Sequence, residues 1–230
     1  MADRVAVVSG VAGGIGRSIA DGFAAAGYAV TGIDRTETPE GVAHRYVQLD
    51  IRDTAAVAAF GATLDRVDVL VNAAGVIRRV EEFEIGVFEE VLDINLTGTM
   101  RLATACRPAL AKVRGAIVNI ASMLAIFGGG LVPAYSASKG GVAQLTKSLA
   151  IAWAKDGIRV NALAPGWIAT AMTEPLRRDA ARNRAILERT PMARWGTPDD
   201  LVGPALFLAS EAARFVTGAI LPVDGGYSVM

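Results

Sequence analysis

Short apolar runs alternate with longer stretches in which apolar residues recur every three or four positions, and the alternation continues along the whole chain. The runs are Val5 to Val8, Tyr28 to Ile33, His44 to Leu49, Val67 to Val71, Ala116 to Ile120, Ile158 to Leu163 and Ala219 to Val223. Several are continuously apolar rather than alternating, which predicts strands buried on both faces, as in a parallel sheet. Helices are predicted between them: an Ala-rich one stopped by Gly27, and one capped at Asp53/Thr54 and running to about Leu64. Further helices span Glu89 to Lys112, Pro133 to about Lys155 (ended by Gly157), and Pro198 to about Ala209. Strand and helix in turn define an α/β chain around a parallel sheet. The exception is the segment from Arg35 to Gln48. A parallel crossover usually takes a dozen or more residues with a helix, and here there is room for one turn at most. His44, the only histidine, is expected on the exposed side of the strand that follows, with no catalytic role. Residues 171–190 are Arg-rich and predict a mobile helical excursion.

The chemistry lies where strands end. After the first strand comes Gly10-Val11-Ala12-Gly13-Gly14-Ile15-Gly16, then a helix. Glycines let backbone approach a pyrophosphate closely, and a helix N-terminus offers unpaired N–H groups and a positive dipole end. The second strand ends in Asp34, about 20 residues past the turn, where a carboxylate bonds an adenosine ribose and repels a 2′-phosphate. That favours NAD over NADP, although Arg35 is a basic group that could pair with such a phosphate. The fourth strand ends in Asn72-Ala73-Ala74-Gly75, small residues that either leave room for a flat ring or simply pack tightly. Arg78 and Arg79 follow, as a solvated pair or as a grip on a substrate carboxylate.

The stretch from Asn119 to Gly141 is the most informative. A strand ends at Ala121-Ser122, a Gly-rich loop follows, and Pro133 opens a helix carrying Tyr135 and Lys139. Positions i and i+4 share a helix face. An ammonium about 4 Å from a phenol, at an effective dielectric near 20, favours phenolate by about 4 kcal/mol, or roughly three pKa units. Tyr135 would then titrate near neutrality and exchange a proton with an alcohol or ketone oxygen, to which Ser122 could donate a hydrogen bond. A bare Tyr-x-x-x-Lys is also compatible with an ordinary surface pair. Asn95, inside the predicted 89–112 helix, is unexpected there unless its amide bonds something.

Composition narrows the function classes. The chain has 230 residues, enough for one domain spanning 1–230, and Lys+Arg 23 balances Asp+Glu 23. Zero net charge argues against nucleic-acid or membrane-surface partners. One cysteine, Cys106, excludes an intrachain disulfide and fits a reducing, cytoplasmic setting. No apolar run approaches the ~20 residues of a membrane span, and the opening residues lead straight into a strand, with no signal peptide expected. No metal site is expected.

With these pieces in place the chain resembles the short-chain dehydrogenase/reductase family over nearly its whole length. Gly10-x-x-x-Gly14-x-Gly16 resembles its cofactor turn, with Ser9 where Thr is usual. Asn72-Ala73-Ala74-Gly75 resembles the motif after the fourth strand, with Ala73 replacing Asn. Asn95, Ser122, Tyr135 and Lys139 stand at its four catalytic positions, and Pro165-Gly166 with Thr170 at its nicotinamide-side loop. The short 35–48 segment departs from the family and leaves the adenine-side wall open. The resemblance implies a single-domain, Rossmann-type, doubly wound, seven-stranded parallel sheet with helices on both faces. It also implies a dinucleotide held by Gly10, Gly14, Ile15, Gly16, Asp34, Asp50, Ile51 and Asn72 to Gly75, with Tyr135, Lys139, Pro165, Gly166, Ile168 and Thr170. Tyr135 is then general acid/base, Lys139 lowers its pKa and bonds the nicotinamide ribose, Ser122 holds the substrate oxygen, and Asn95 anchors a relay water. The segments Gly75–Arg79, Asn119–Leu124 and Ala193–Gly196 look most like sugar-acid dehydrogenases of the family. The expected substrate is a small molecule, a secondary alcohol on a sugar acid or polyol, touched by Arg78, Arg79, Trp167 and Arg194, with 171–190 as its lid. An NADP-dependent 3-oxoacyl or simple ketone reductase and a non-catalytic dinucleotide-binding regulator are the rival readings. Family members usually pair through the helices here at about 89–112 and 133–155, so a homodimer or homotetramer is expected.

Overall fold

The structure is a computed structural model and describes residues 4–230. Seven strands, β1 (Arg4–Ser9), β2 (Tyr28–Asp34), β3 (Arg45–Gln48), β4 (Val69–Asn72), β5 (Ala116–Ile120), β6 (Arg159–Pro165) and β7 (Ile220–Val223), form one sheet. Its order is β3-β2-β1-β4-β5-β6-β7, with every neighbouring pair parallel. The winding reverses between β1 and β4, and the crevice that binds ligands in such sheets opens at the C-terminal ends there.

The helices are α1 (Gly14–Ala25), α2 (Thr54–Ala62), α3 (Ile85–Leu92), α4 (Gly98–Val113), α5 (Pro133–Trp153), α6 (Glu174–Arg178), α7 (Ala180–Arg189) and α8 (Val202–Ala209). Side chains alternate across each strand, which explains why the strand runs are apolar throughout. β1 sends Val7 to one face, where it joins Leu70 and Ile117 beneath α2, α4 and α5 through Phe60, Leu102 and Leu149. It sends Ala6 and Val8 to the other, beneath α1 and α8 through Ile19, Phe23 and Leu208. Each such side chain contributes about 1.5–3 kcal/mol on burial, so both faces are closed against slippage.

Three local expectations change. The helix expected over 89–112 starts at Ile85 and is interrupted by a π turn over Asp93–Thr97. The wide turn carries Asn95, whose amide is bonded across to the backbone of Val76 instead of lying along a regular helix face. Residues 198–201 form a 3₁₀ turn before α8. His44 is not on an exposed strand face: its side chain is 2% exposed and precedes β3. Gly32 leaves the space that its ring fills, since a Cβ there would lie 2.6 Å from His44 Nε2. As expected, no helix joins β2 to β3. The 171–190 excursion is a 3₁₀ turn followed by α6 and α7, the latter capped by Asp179 through the N–H groups of Ala181 (3.0 Å) and Arg182 (3.1 Å).

Candidate active site

The glycine turn is shaped by close backbone contacts. Gly10 has φ 78°, and a Cβ there would lie 2.7 Å from the Ala74 nitrogen. A Cβ on Gly16 would lie 2.2 Å from the Gly10 carbonyl oxygen, so α1 can press against the strand end only without a side chain. The Ser9 hydroxyl accepts hydrogen bonds from the N–H groups of Ala73 and Ala74, both 3.2 Å, and so joins the β1 and β4 ends. α1 starts without a side-chain cap and with no acidic residue in its first turn. Its N–H groups are therefore free for an anion, and the residues fit a dinucleotide pyrophosphate.

A cleft of about 340 Å³ runs along these strand ends. Gly10, Gly14, Ile15 and Gly16 line one part of it, Asp34, Asp50 and Ile51 another, and Ala73 to Gly75 with Tyr135, Lys139 and Thr170 a third. The Asp34 carboxylate accepts hydrogen bonds from Ala12 N (3.1 Å) and Thr36 N (3.3 Å), and Arg35 lies beside it on the cleft wall. Asp50 is held below the usual carboxylate range by hydrogen bonds from the Arg52 side chain. Asn72 stays behind the wall and donates to Asn119 Oδ1 at 2.9 Å. Pro165, Gly166 and Ile168 shape the loop that presents Thr170 rather than lining the cleft. Leu49, Arg52, Ile94 and Met172 line the cleft as well; their types alone carry no motif.

At the other end of the cleft the four polar residues come together. Asn95, wholly buried, accepts from Val76 N (2.8 Å) and donates to Val76 O (2.9 Å) and Ser138 Oγ (3.0 Å). Lys139 is buried and donates to the carbonyl of Ile120 at 2.6 Å. A Cβ on Gly75 would lie 3.3 Å from Asn95 Oδ1 and 3.5 Å from Lys139 Nζ. The glycine is what lets these two polar groups meet the cleft. Ser122 accepts from Leu124 N at 3.1 Å, and Lys139 Nζ sits 5.7 Å from the Tyr135 ring centre.

The electrostatics differ from the i,i+4 expectation. Burial raises the Tyr135 phenol above its ordinary value; hydrogen bonding with Ser122 and the charge of Arg79 oppose the rise, and the Glu82 carboxylate adds to it. Lys139 is pushed down to about 8 by burial. The simple Coulomb argument omits the cost of removing both groups from water, and in the folded chain burial is the leading cause of both shifts.

The substrate-side residues separate into two groups. Arg78 and Arg79 follow the β4 end; Arg79 is half-buried, donates to the carbonyl of Met172 at 3.3 Å, and pairs with no carboxylate among the described residues. Arg194 instead donates to Asp200 at 2.7 and 2.9 Å. Trp167 packs edge-on against Trp195 and Tyr227, with ring centres 5.9 and 6.2 Å apart. Arg194 and Trp167 share a smaller, separate cavity; neither they nor Arg78 and Arg79 line the cleft itself, although Arg79 reaches the carbonyl of Met172 on its wall. Sequence reasoning also passed over Glu82, a fully buried carboxylate hidden within the acidic run Glu81, Glu82, Glu84.

A crevice whose glycine turn fits a pyrophosphate at one end, and beside which Asn95, Ser122, Tyr135 and Lys139 gather at the other, has the layout of a nicotinamide-dependent oxidoreductase. The profile of the family described as enoyl-(acyl carrier protein) reductase matches residues 10–228. The 2-dehydro-3-deoxy-D-gluconate 5-dehydrogenase of Bacillus subtilis is 44% identical, over 97% of this chain and 94% of its own. A solved structure from Agrobacterium tumefaciens, described as a 2-deoxy-D-gluconate 3-dehydrogenase with bound NADP, is 45% identical with a TM-score of 0.91, covering 99% and 97% of the two chains. The gluconate 5-dehydrogenase of Burkholderia cenocepacia, in complex with NADP and tartrate, is 36% identical with a TM-score of 0.92, covering 99% and 96%. The chain belongs to the short-chain dehydrogenase/reductase family and is an oxidoreductase acting on CH–OH groups.

Proposed function

We propose that this enzyme interconverts a secondary alcohol and a ketone on a sugar acid, with Arg79 holding the substrate carboxylate. The observation that carries the reading is Arg79 itself. It is a half-buried guanidinium beside the Tyr135 phenol, pushed down by burial and without an acidic partner among the described residues. An unpaired cation in such a place costs free energy until an anion arrives. The sugar-acid substrates named for the relatives supply such an anion.

In this reading Tyr135 takes the hydroxyl proton during oxidation and returns it during reduction. Ser122 donates to the substrate oxygen and keeps it against the phenol. Lys139 lends positive charge to the same end of the cleft, and Asn95 fixes the backbone of Val76 behind it. The nicotinamide, when bound, supplies the hydride acceptor or donor. Asp34 supports NAD, whereas Arg35 and the NADP held by both solved relatives support NADP. The site accepts both, with Asp34 setting a preference for NAD. Residues 171–190 serve as a mobile lid. Exposed Ile151 (80%) on α5 and Met100 (38%) on α4 support pairing of copies through those helices, as a dimer or tetramer, and the enzyme is read as cytoplasmic. Elution as a monomer would remove the pairing.

The test is cofactor reduction measured against a panel of sugar acids, neutral polyols and simple ketones. Sugar acids should give the highest kcat/KM. Arg79→Ala should raise KM for the acids about ten- to a hundredfold, the worth of a hydrogen bond between charged groups (~1.5–3 kcal/mol), while leaving polyols little changed. Turnover of neutral ketones alone would reject the assignment.

A further inference from the structure

Glu82 is the one Asp or Glu buried in the interior among the described residues, 1% exposed and in no ion pair. A buried carboxylate without a cation persists only where hydrogen bonds hold it. Here Oε1 accepts from Arg78 N and Oε2 from Tyr135 N, both at 2.8 Å. The second bond fills a gap in the design of α5: its N-cap, Val132, offers no side-chain bond, and Pro133 has no N–H to give. The helix that carries the phenol thus takes its cap from a residue 53 positions earlier. The first bond closes the turn that carries Arg78 and Arg79. That turn is under strain, because Val80 has φ 69°, a conformation that a β-branched residue rarely adopts. It is held from both sides, by Glu82 N donating to Arg78 O (3.1 Å) and by Val80 N donating to Leu131 O (2.9 Å).

We propose that Glu82 is a positioning residue for the reaction, a buried strut that fixes the arginine turn and the first turn of α5 in one frame so that Arg79 and Tyr135 face the same substrate. The inference rests on reading Tyr135 as the proton carrier and Arg79 as the carboxylate grip. The strut also places a carboxylate near the phenol. The other groups facing the phenol are Lys139 along α5, Ser122 from the loop after β5, and Arg79 from the turn itself. Of the charged ones, Glu82 alone opposes ionisation of the phenol.

Two variants separate reach from charge. Glu82→Gln removes the charge and turns one acceptor into a donor facing an N–H. It should lower kcat/KM for the sugar acid roughly ten- to a hundredfold, as loss of an orienting partner does. It should also move the acid limb of the oxidation pH profile to lower pH, by a few tenths of a unit to about one unit. Glu82→Asp keeps the charge but shortens the arm by one methylene. Its acid limb should stay in place while KM for the acid rises. A Glu82→Gln profile that superimposes on that of the parent overturns the inference. If that variant yields no folded protein by circular dichroism, Glu82→Asp decides: unchanged kcat and KM overturn the inference, and a raised KM with the limb in place supports it. Tyr135→Phe is run alongside. Turnover surviving in it breaks the reading of Tyr135, whereas loss of turnover there with an unmoved Glu82→Gln profile breaks the role of Glu82 alone.

Discussion

The two ends of the cleft are built differently. At the Tyr135 end the polar groups are buried and tied across long stretches of chain: Asn95 to Val76 and Ser138, Lys139 to Ile120, Glu82 to Tyr135. At the Asp34 end most of the bonds are exposed, Asp34 to Thr36, Arg52 to Asp50 and Gln48 to the carbonyl of Arg35, with Asp34 also accepting from the part-buried Ala12 N. There the connection from β2 to β3 is a bare loop, and behind it neither ring nitrogen of His44 makes a hydrogen bond, Asp21 standing 3.7 Å away. In a low dielectric each buried bond carries more weight and each lost one costs more than in water. One end is therefore intolerant of change, and the other is adjustable without loss of the fold.

The sharpest break lies at the first end. Tyr135→Phe should cut turnover by about 10²–10⁴-fold, the usual worth of a positioned acid/base, while fluorescence titration still shows dinucleotide binding. Retained turnover would remove the contrast between the two ends. A smaller effect is expected at the second end. Asp34→Ser should raise kcat/KM with NADP relative to NAD by about tenfold, since it removes a negative charge a few ångströms from the site of a 2′-phosphate. An unchanged ratio would assign the choice to Arg35 and the rest of the wall. The smallest effect concerns His44. Burial holds it below its ordinary pKa, with Asp21 opposing and Arg17 adding to the shift. The unfolded chain therefore binds the proton first as pH falls through about 6.5, and stability declines below that pH until the folded state protonates too. As this is the only histidine, the Tm difference between pH 7.5 and 5.5 should shrink in His44→Leu. Equal differences in the two proteins would show that the ring is not buried in solution.

The features legible in the sequence are those fixed by neighbours along the chain. Continuous apolar runs announce strands buried on both faces, and Gly10 and Gly16 announce a turn where backbone replaces side chain. The four-residue step from Tyr135 to Lys139 announces a shared face, and the short 35–48 segment announces the missing helix. Local sterics and periodicity decide these before the chain is compact. Three other features depended on contacts absent from any window of sequence. Glu82 caps a helix 53 positions away, and His44 fills the space above Gly32. The Tyr135 phenol is raised rather than lowered. Each of these turns on burial, and burial is a property of everything packed around a group, which only the folded chain assembles.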